Sequence, residues 1–331
     1  MSLVASSHFD ISQLPSLKKG MSAQEESMKR RKTCRFIEEA GRVLKLPRVA
    51  ISTAMVFFHR FYAKHAFQEH DRFEVAVAAL VLAAKTEEAP KKLNTVIQEC
   101  YKLKTRAMQA GRLSQTPNSK DHESSSSYLD TKGEEFLKLK ERILLLERII
   151  LHTIGFELSI DHPYKFFVDQ IRKLIQTRQL KYANKTKSNS ETMAKMMNEL
   201  VQYSMSTAND SYQTSLCLQF GPKQIATSCV YLACMFSGVE PQNGDWKTTL
   251  LSQSSESGDE HLDHEVEALV SICVQVIDLI ADKKASDSES VRKIRKALEL
   301  LKNRETNANP GSTPPRRPPP PPGDSNKRQK V

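Results

Sequence analysis

Two stretches of the sequence decide the fold: VAVAALVLAA at Val75–Ala84, and ILLLERIILHTI at Ile143–Ile154. Both are apolar on every face of a helix, and helices of that kind pack inside a bundle. We therefore predict two buried helices and an all-α protein. Lys85 directly follows the first stretch, and Glu147 and Arg148 interrupt the second. Because a buried charge is costly unless a partner satisfies it, Lys85 and Glu147 are candidate functional residues.

The composition fits a helical protein of two domains. The chain has 331 residues, of which 39% are hydrophobic and 27% charged, with only 11 glycines, and a typical domain has roughly 150 residues. Runs rich in alanine and leucine favour helix over sheet. No apolar run approaches the ~20 residues of a membrane span, and the N-terminus lacks a signal-peptide pattern. We expect a soluble protein that is not exported and has no membrane partner.

The six cysteines are scattered, mostly through apolar helical segments, and form no CxxC pair. Closely paired cysteines are typical of zinc sites, and dense cysteine frameworks are typical of secreted, disulfide-bonded domains. The pattern therefore predicts reduced thiols in an intracellular protein.

The positive charge is concentrated at the C-terminal end. The formal net charge is +10, and residues 283–331, with 13 basic and 5 acidic side chains, account for +8 of it. A nucleic-acid-binding domain is expected to carry a basic patch on its folded body. Since the first 282 residues are nearly neutral, we do not expect direct binding to nucleic acid.

Helical spacing, together with proline and glycine punctuation, predicts five helices in the first half of the chain. Their predicted ranges are 34–44, 48 to about 64, 73 onward, 92–104 and 134–155. Ala54, Phe57, Phe58 and Phe61 recur at core spacing in the second of these helices. Polar residues dominate from about 107 to 133, including four serines at 124–127, which predicts a loop there.

The second half follows the same plan less cleanly. Helices are expected near Pro163 and at 191–209, 225–236 and 266–281, separated by polar segments at 177–190 and 237–260. Because the second half repeats the organisation of the first, we predict two five-helix bundles in tandem, with four helices of the second bundle placed, preceded by an N-terminal extension at 1–29. Residues 283–331 are predicted to form a basic, proline-rich tail that is helical only at its start.

Four segments carry a resemblance to a known family: FFHRFY (57–62), LAAKTEEAPKKL (82–93), LLERIILHTIGFELSIDHPYKF (145–166) and ANDSYQTSLCLQFGPKQIA (208–226). Together they resemble the transcriptional cyclins, most of all cyclins T and K. The resemblance implies two all-helical cyclin boxes, at 30–158 and 159–282. It also implies a protein without catalytic chemistry or cofactor. Such a protein forms a heterodimer with a transcriptional cyclin-dependent kinase and activates it toward the C-terminal domain of RNA polymerase II.

The resemblance assigns kinase-binding roles to particular residues. In cyclins, a lysine that ends the third helix of the first box and a glutamate within the fifth helix contact the kinase. These positions match Lys85 and Glu147. The same candidate surface includes Glu87, Glu88, Ile150 and Phe156.

Each of these residues also has an explanation that needs no partner. Lys85 can be a cation favoured by the helix dipole at a C-terminus, or it can pair with Glu147 within the chain. Arg148 is a poor partner for Glu147, because adjacent residues do not face each other on a helix. Ile150 fits core packing equally well, and Phe156, which follows a glycine, fits a buried plug between the two boxes.

One segment departs from the cell-cycle cyclins. Those proteins carry the apolar docking sequence MRAIL at the start of the first box, and the aligned residues here are KRRKT at Lys29–Thr33. These side chains cannot form a hydrophobic docking patch. We therefore do not expect substrates bearing the matching motif to bind, which agrees with a transcriptional role.

Histidine spacing predicts no metal site. His59, His65 and His70 are six and five residues apart, so they do not share a helical face, and HLDHE at His261–Glu265 lacks the HExxH order. The sequence also contains no GxxxxGK or GxGxxG phosphate-binding motif. We expect no metal, no cofactor and no enzyme activity.

The tail has several candidate roles. Five consecutive prolines at 318–322 favour a polyproline II segment of the kind that SH3, WW or profilin-type domains bind, and a solvated spacer fits equally well. The RNA polymerase II C-terminal domain is a further candidate partner. A bipartite nuclear import signal is the candidate role of the basic residues Arg316, Arg317, Lys327, Arg328 and Lys330. The cyclin resemblance independently favours a nuclear protein.

Two other functions stay open at this point. The first is a cyclin-fold general transcription factor of the IIB type, which binds promoter DNA and TATA-binding protein. That family carries an N-terminal zinc ribbon, whereas residues 1–33 contain no cysteine. The second is an architectural helical adaptor that uses the proline-rich tail.

Overall fold

The computed structural model describes residues 9–113, 129–183, 190–251, 259–284 and 289–303. Their regular secondary structure is almost entirely helical, which confirms the predicted fold class. They form two hydrophobic cores, one in each half of the chain. Within the described part, no helix has the length and apolarity needed to cross a membrane.

The first core lies within a bundle of long helices that follows a short 3-10 turn (Ile11–Gln13) and helix α1 (Pro15–Lys18). The bundle consists of α2 (Ala23–Val43), α3 (Arg48–Lys64), α4 (Arg72–Thr86), α5 (Leu93–Leu113) and α6 (Glu134–Thr153). Helix α3 has the predicted bounds. The four residues predicted to face the core from it, Ala54, Phe57, Phe58 and Phe61, are fully buried.

Polar side chains fix where two of these helices begin. Ser22 accepts a hydrogen bond from the backbone N–H of Glu25 at the start of α2, and Asp71 accepts from two backbone N–H groups at the start of α4. An N-cap of this kind contributes about 1 kcal/mol. Helix α2 therefore begins well before the predicted start at Cys34, and the basic segment around Lys29–Thr33 is helical.

Helix α4 lies at the centre of the first bundle and packs against α2, α3, α5 and α6. Every residue of Val75–Ala84 is buried, which confirms the prediction for this stretch. The matching prediction for α6 was wrong, because Leu144 and Leu145 are 38% and 51% exposed. Helix α6 lies at the edge of the bundle, so its core face is a stripe and the residues between are open to solvent.

The second core lies within α7 (Pro163–Gln176), α8 (Ser190–Ser211), α10 (Pro222–Ser237), α11 (Asp259–Lys284) and α12 (Glu289–Asn303), with a short helix α9 (Leu216–Gln219). Helix α10 is its centre and packs against α7, α8, α11 and α12. Strands β1 (Leu180–Tyr182) and β2 (Val239–Pro241) pair antiparallel, with Leu180 opposite Pro241. A π-helical turn spans Lys247–Leu251.

The second bundle extends further along the chain than the predicted boundary at residue 282. Val291, Ile294, Leu298 and Leu301 of α12 are buried in the second core. Their spacing of three, four and three residues gives α12 one apolar face, although the composition of the segment is strongly basic. Helix α12 is therefore part of the folded body and not the beginning of the tail.

Candidate functional site

The two residues singled out by the sequence meet at the surface of the first bundle. Lys85 lies in the last turn of α4, and its Nζ lies 2.7 Å from Oε1 of Glu147 on α6. The side chain of Lys85 is 56% exposed and that of Glu147 is 12% exposed. The pair is thus an intramolecular salt bridge, one of the two alternatives left open by the sequence, and it lies within reach of a partner.

The pair keeps unused hydrogen-bonding capacity. A lysine ammonium has three donors, and Glu147 is the hydrogen-bond partner of Lys85 among the described residues. The second carboxylate oxygen of Glu147 has no hydrogen-bond partner in the described part of the chain. The site can therefore donate hydrogen bonds through Lys85 and accept them through Glu147.

Glu87 caps the end of α4 and is tied into the protein. Its Oε1 accepts a hydrogen bond from Oγ1 of Thr53, 2.7 Å away. Since that hydroxyl has one proton to give, Oγ1 must accept from Nε2 of His162, at 2.9 Å. Nδ1 of His162 is then free to accept from the hydroxyl of Tyr212, at 2.5 Å.

These contacts form one directional chain from Tyr212 to Glu87, across the junction between the two bundles. Burial lowers the pKa of His162 to about 4, so the ring is neutral, as the chain requires. Glu87 is therefore fixed by its hydrogen bond to Thr53, whereas the side chain of its exposed neighbour Glu88 is less constrained. Glu88 has a left-handed backbone, with φ of 53°, and its side chain is exposed.

Phe156 lies on the surface, directly after the end of α6. Its side chain is 59% exposed and its ring contacts the ring of His152 edge-on, with centroids 5.2 Å apart. Its φ of 61° lies in the left-handed region, which is uncommon for a bulky residue. The alternative of a buried plug between the two bundles was therefore wrong.

Ile150 does not belong to this surface. It is 0% exposed and packs in the first core. Its assignment to the candidate surface was wrong, because a residue one turn from Glu147 on an edge helix can still point inward when the core stripe passes through it.

The sequence reading missed two exposed leucines on α6. Leu144 and Leu145 precede Glu147 on the same helix and face solvent. The sequence spacing does indicate their exposure. Ile143, Leu146 and Ile150 are three and four residues apart and form one core-facing stripe, and the two leucines lie outside that stripe. Leu144, three residues before Glu147, adds exposed apolar area beside the salt bridge, whereas Leu145 lies on another face of the helix.

The segment aligned with the docking sequence of cell-cycle cyclins has a structural role. Arg30 is 2% exposed, pairs with the buried Glu26 at 2.5 Å and donates to the carbonyl of Tyr62 at 2.9 Å. It also lies 3.2 Å from Nδ1 of His59, whose pKa falls to about 3, first because of burial and second because of Arg30. Nε2 of His59 lies 2.9 Å from the carbonyl of Tyr212.

Three predictions fall outside the residues that the structure describes. They are the serine run at 124–127, the polyproline segment at 318–322, and the nuclear import candidates Arg316, Arg317, Lys327, Arg328 and Lys330. All six cysteines are free thiols.

The first bundle has a counterpart among known protein families. Residues 7–159 match the family "Cyclin, N-terminal domain". The fold as a whole resembles a chain of the yeast RNA polymerase II CTD kinase CTDK-1 complex, with a TM-score of 0.57, 16% identity and coverage of 95% of this chain and 87% of that one. It also resembles a chain of the CAK complex of Chaetomium thermophilum, with a TM-score of 0.50, 16% identity and coverage of 88% and 81%. The chain therefore has a cyclin fold.

Curated relatives narrow the class. Cyclin-T1-3 of Oryza sativa subsp. japonica is 34% identical over 68% of this chain and 39% of its own length. Human Cyclin-K is 31% identical over 83% of this chain and 40% of its own length, and human Cyclin-L1 is 30% identical over 92% and 50%. The chain thus spans two fifths to half of these relatives. Its first bundle is a cyclin N-terminal domain by sequence, and the chain resembles the transcriptional cyclins T and K.

Proposed function

We propose that this protein binds a transcriptional cyclin-dependent kinase and activates it toward the C-terminal domain of RNA polymerase II, with no catalytic step of its own. The observation that carries the proposal is the Lys85–Glu147 pair, accessible at the surface through the exposed Lys85, on the bundle that matches the cyclin N-terminal domain. The names of two fold neighbours, a polymerase CTD kinase complex and the CAK complex, support the same class of partner.

The kinase-binding surface proposed here lies at the C-terminal parts of α4 and α6 and combines exposed side chains with the partly buried Glu87 and Glu147. Its members are Lys85, Glu87, Glu88, Glu147 and Phe156, with Leu144 as an apolar neighbour one turn before Glu147. Charged groups with unused hydrogen-bonding capacity specify a partner, and exposed apolar side chains add burial on docking. The combination suits an interface that has a polar centre and apolar margins.

The mechanism that follows is a shift of the kinase population. A protein kinase is active only when its Lys–Glu ion pair and its ordered activation loop are in place. The first bundle offers a rigid face, because α4 is buried along Val75–Ala84 and is held by four neighbouring helices. Binding of the kinase's mobile helix to this face favours the active arrangement, and the cyclin needs only a higher affinity for that state.

The test is co-purification of the full chain with the kinase domain of a transcriptional cyclin-dependent kinase. We expect Lys85→Ala/Glu147→Ala to weaken kinase binding by at least about 30-fold, because truncation of a desolvated interfacial pair costs roughly 2 kcal/mol or more. The same variant should lose about 1 kcal/mol or less of unfolding free energy, since the Lys85 ammonium is solvent-exposed and the variant removes both charges together, leaving neither unpaired. A titration calorimeter measures the first quantity and denaturant unfolding the second.

A matched control is available in α12. Lys293 and Glu289 form an exposed pair at the same 2.7 Å separation, and Glu289→Ala/Lys293→Ala should leave kinase affinity unchanged. Equal affinities for the wild type and the Lys85→Ala/Glu147→Ala variant would retire the proposed surface. A salt-dependent DNA shift assay on the same samples tests the alternative of a promoter-binding factor.

We also propose that the protein acts in the nucleus. The transcriptional cyclin class supports this localisation, and the basic residues Arg316, Arg317, Lys327, Arg328 and Lys330 supply a candidate import signal. Alanine substitution of Arg316, Arg317, Lys327, Arg328 and Lys330 should move a fluorescent fusion of the full chain toward the cytoplasm. An unchanged nuclear signal would show that this tail is not the import signal.

A further inference from the structure

We propose that His65, Glu69 and His70, in the loop between α3 and α4, form a binding site for a transition-metal dication of the zinc class. One potential ligand atom from each of the three side chains lies within 4.8 Å of the others. Sequence spacing predicted no such site, because residues 65 and 70 do not share a helical face. The prediction assumed a continuous helix, whereas the chain leaves α3 at His65, whose backbone is extended.

The loop folds back on itself after His65. The backbone N–H of Glu69 donates to the carbonyl of Ala66 at 3.0 Å, which closes a turn over residues 66–69. This turn brings Glu69 and His70 back toward His65, so that the rings of the two histidines lie 5.4 Å apart. The cluster is therefore a product of the backbone turn.

The donor set selects the class of metal. Two imidazole nitrogens and one carboxylate oxygen suit zinc and similar first-row ions, and three protein ligands leave a fourth position for water. Calcium and magnesium favour sites made of oxygen atoms alone. The cluster thus has the composition of an open zinc site.

His65 is held in the tautomer that a metal requires. The hydroxyl of Thr153 donates to the carbonyl of Ile149 at 2.7 Å. Thr153 Oγ1 must therefore accept the proton of His65 Nε2, which lies 3.0 Å away. Nδ1 of His65 keeps its lone pair, and an outer hydrogen bond of this kind is typical of metal-binding histidines.

Aromatic packing fixes the orientation of both rings. His65 stacks on the buried Phe61 with centroids 4.5 Å apart, and His70 contacts the same ring edge-on at 5.2 Å. The carbonyl of His70 accepts from the hydroxyl of Tyr62 at 3.0 Å. Both imidazoles are therefore positioned before any ion arrives, which lowers the entropic cost of binding.

Lys19 competes for the carboxylate. Its Nζ lies 2.6 Å from Oε1 of Glu69, while Oε2 of Glu69 accepts from the backbone N–H of Ala66 at 2.8 Å. Both partners of the Lys19–Glu69 pair are exposed, and exposed pairs are weak. Binding an ion requires Lys19 to move away and the ligand atoms to contract by on the order of 1 Å, given zinc bond lengths near 2.1 Å.

The test is a titration of the purified full chain with zinc chloride against a chromogenic chelator. We expect one tightly bound zinc ion per chain. His65→Ala and His70→Ala should each weaken binding by more than about tenfold, and Lys19→Ala should strengthen it by up to about fivefold. The matched control is His264→Ala, which removes an exposed histidine of α11 and should change nothing.

The remaining outcomes are decisive. Cobalt bound in place of zinc should show a spectrum without a thiolate charge-transfer band, because the proposed ligands are nitrogen and oxygen. Absence of zinc binding, unchanged affinity in a correctly folded His65→Ala/His70→Ala variant, or a thiolate band would each overturn the proposal. Glu69→Gln preserves the shape of the loop and separates loss of a ligand from loss of fold. The assay contains no kinase, so its result is independent of the proposed function.

Discussion

The two bundles share an arrangement of helices around a buried central helix, and they differ at the C-terminal end of that helix, which we call the corner of the bundle. Each is built around one strongly apolar helix, α4 in the first bundle and α10 in the second, which its neighbours surround. Helix α4 ends in the exposed Lys85 and the acidic residues that follow it. Helix α10 ends in Gly238 with a left-handed φ of 64°, and the chain then enters β2, which pairs with β1.

This difference separates the requirements of the fold from those of the surface. At the end of α10, backbone groups are satisfied within the chain: Ala183 donates to the carbonyl of Gly238 at 2.9 Å, and Gln242 donates to Gln179 at 2.8 Å. At the end of α4, charged side chains project from the same kind of buried helix. A packed bundle needs the apolar helix, and it does not need the charges. Under the proposed function, a partner accounts for the charges at the first corner.

The largest expected effect tests whether both bundles depend on a buried central helix. Leu80→Ala in α4 and Leu232→Ala in α10 remove buried side chains, which are 1% and 0% exposed. Each variant should lose about 2–5 kcal/mol of unfolding free energy, measured by denaturant titration, because each leaves a cavity in a packed core. Leu300→Ala, at a side chain that is 57% exposed in α12, should change stability by less than about 0.5 kcal/mol. A small loss of unfolding free energy in only one of these two variants would show that the two central helices do not contribute equally to stability.

The next effect concerns the junction between the bundles. His59 and His162 both contact Tyr212, and burial lowers their pKa values from 6.5 to about 3 and about 4. In the unfolded chain both rings gain a proton below about pH 6.5, whereas in the folded protein they stay neutral until lower pH. Their contribution to stability is therefore present above pH 6.5 and is lost as the pH falls.

Each histidine should lower the unfolding free energy by up to about 1.4 kcal/mol per pH unit between about pH 6 and pH 4. Denaturant titrations at several pH values measure this slope. His162→Gln removes the titrating group and should reduce the slope by up to about 1.4 kcal/mol per pH unit, which corresponds to one proton, even though the variant is less stable at pH 7. A slope unchanged by His162→Gln would contradict the assignment of a buried neutral ring.

Hydrophobic periodicity predicted the helices well, because burial and helical spacing leave a direct mark on the sequence. The stretch at Val75–Ala84 and the core spacing of Phe57, Phe58 and Phe61 are examples. The same reasoning was wrong for α6, since composition alone does not distinguish a central helix from an edge helix. It also assigned α12 to the tail, because the basic residues outnumber the four apolar ones that reach the core.

The site was only partly predictable. Lys85 and Glu147 stand out as charges within apolar surroundings, but their separation of 2.7 Å depends on how α4 and α6 cross. The hydrogen-bond chain through Thr53, His162 and Tyr212 joins residues that are more than 100 positions apart along part of its length, so no local pattern contains it. The cluster at His65 and His70 depends on a backbone turn that spacing rules do not describe.

The smallest change in stability is expected at Phe156. A substitution there should raise stability and lower kinase affinity. The ring is 59% exposed and the residue has a left-handed φ of 61°, a conformation that costs a non-glycine residue about 1–2 kcal/mol. Phe156→Gly removes this strain and loses part of the gain to the greater freedom of glycine in the unfolded chain. We expect the unfolding free energy to rise by roughly 0.5–1 kcal/mol. Kinase affinity should fall by about tenfold or more, because exposed aromatic side chains are frequent anchors of interfaces.

Phe156→Ala is the matched control, because it removes the ring and keeps the strained backbone. It should lose kinase affinity as Phe156→Gly does, and it should not gain stability. Denaturant unfolding and calorimetric binding, run on both variants, distinguish the two causes. If alanine stabilises the protein as much as glycine, backbone strain is not the reason. If neither variant binds the kinase more weakly, Phe156 does not belong to the surface, and the corner of the first bundle reduces to the residues at the end of α4 and their partner on α6.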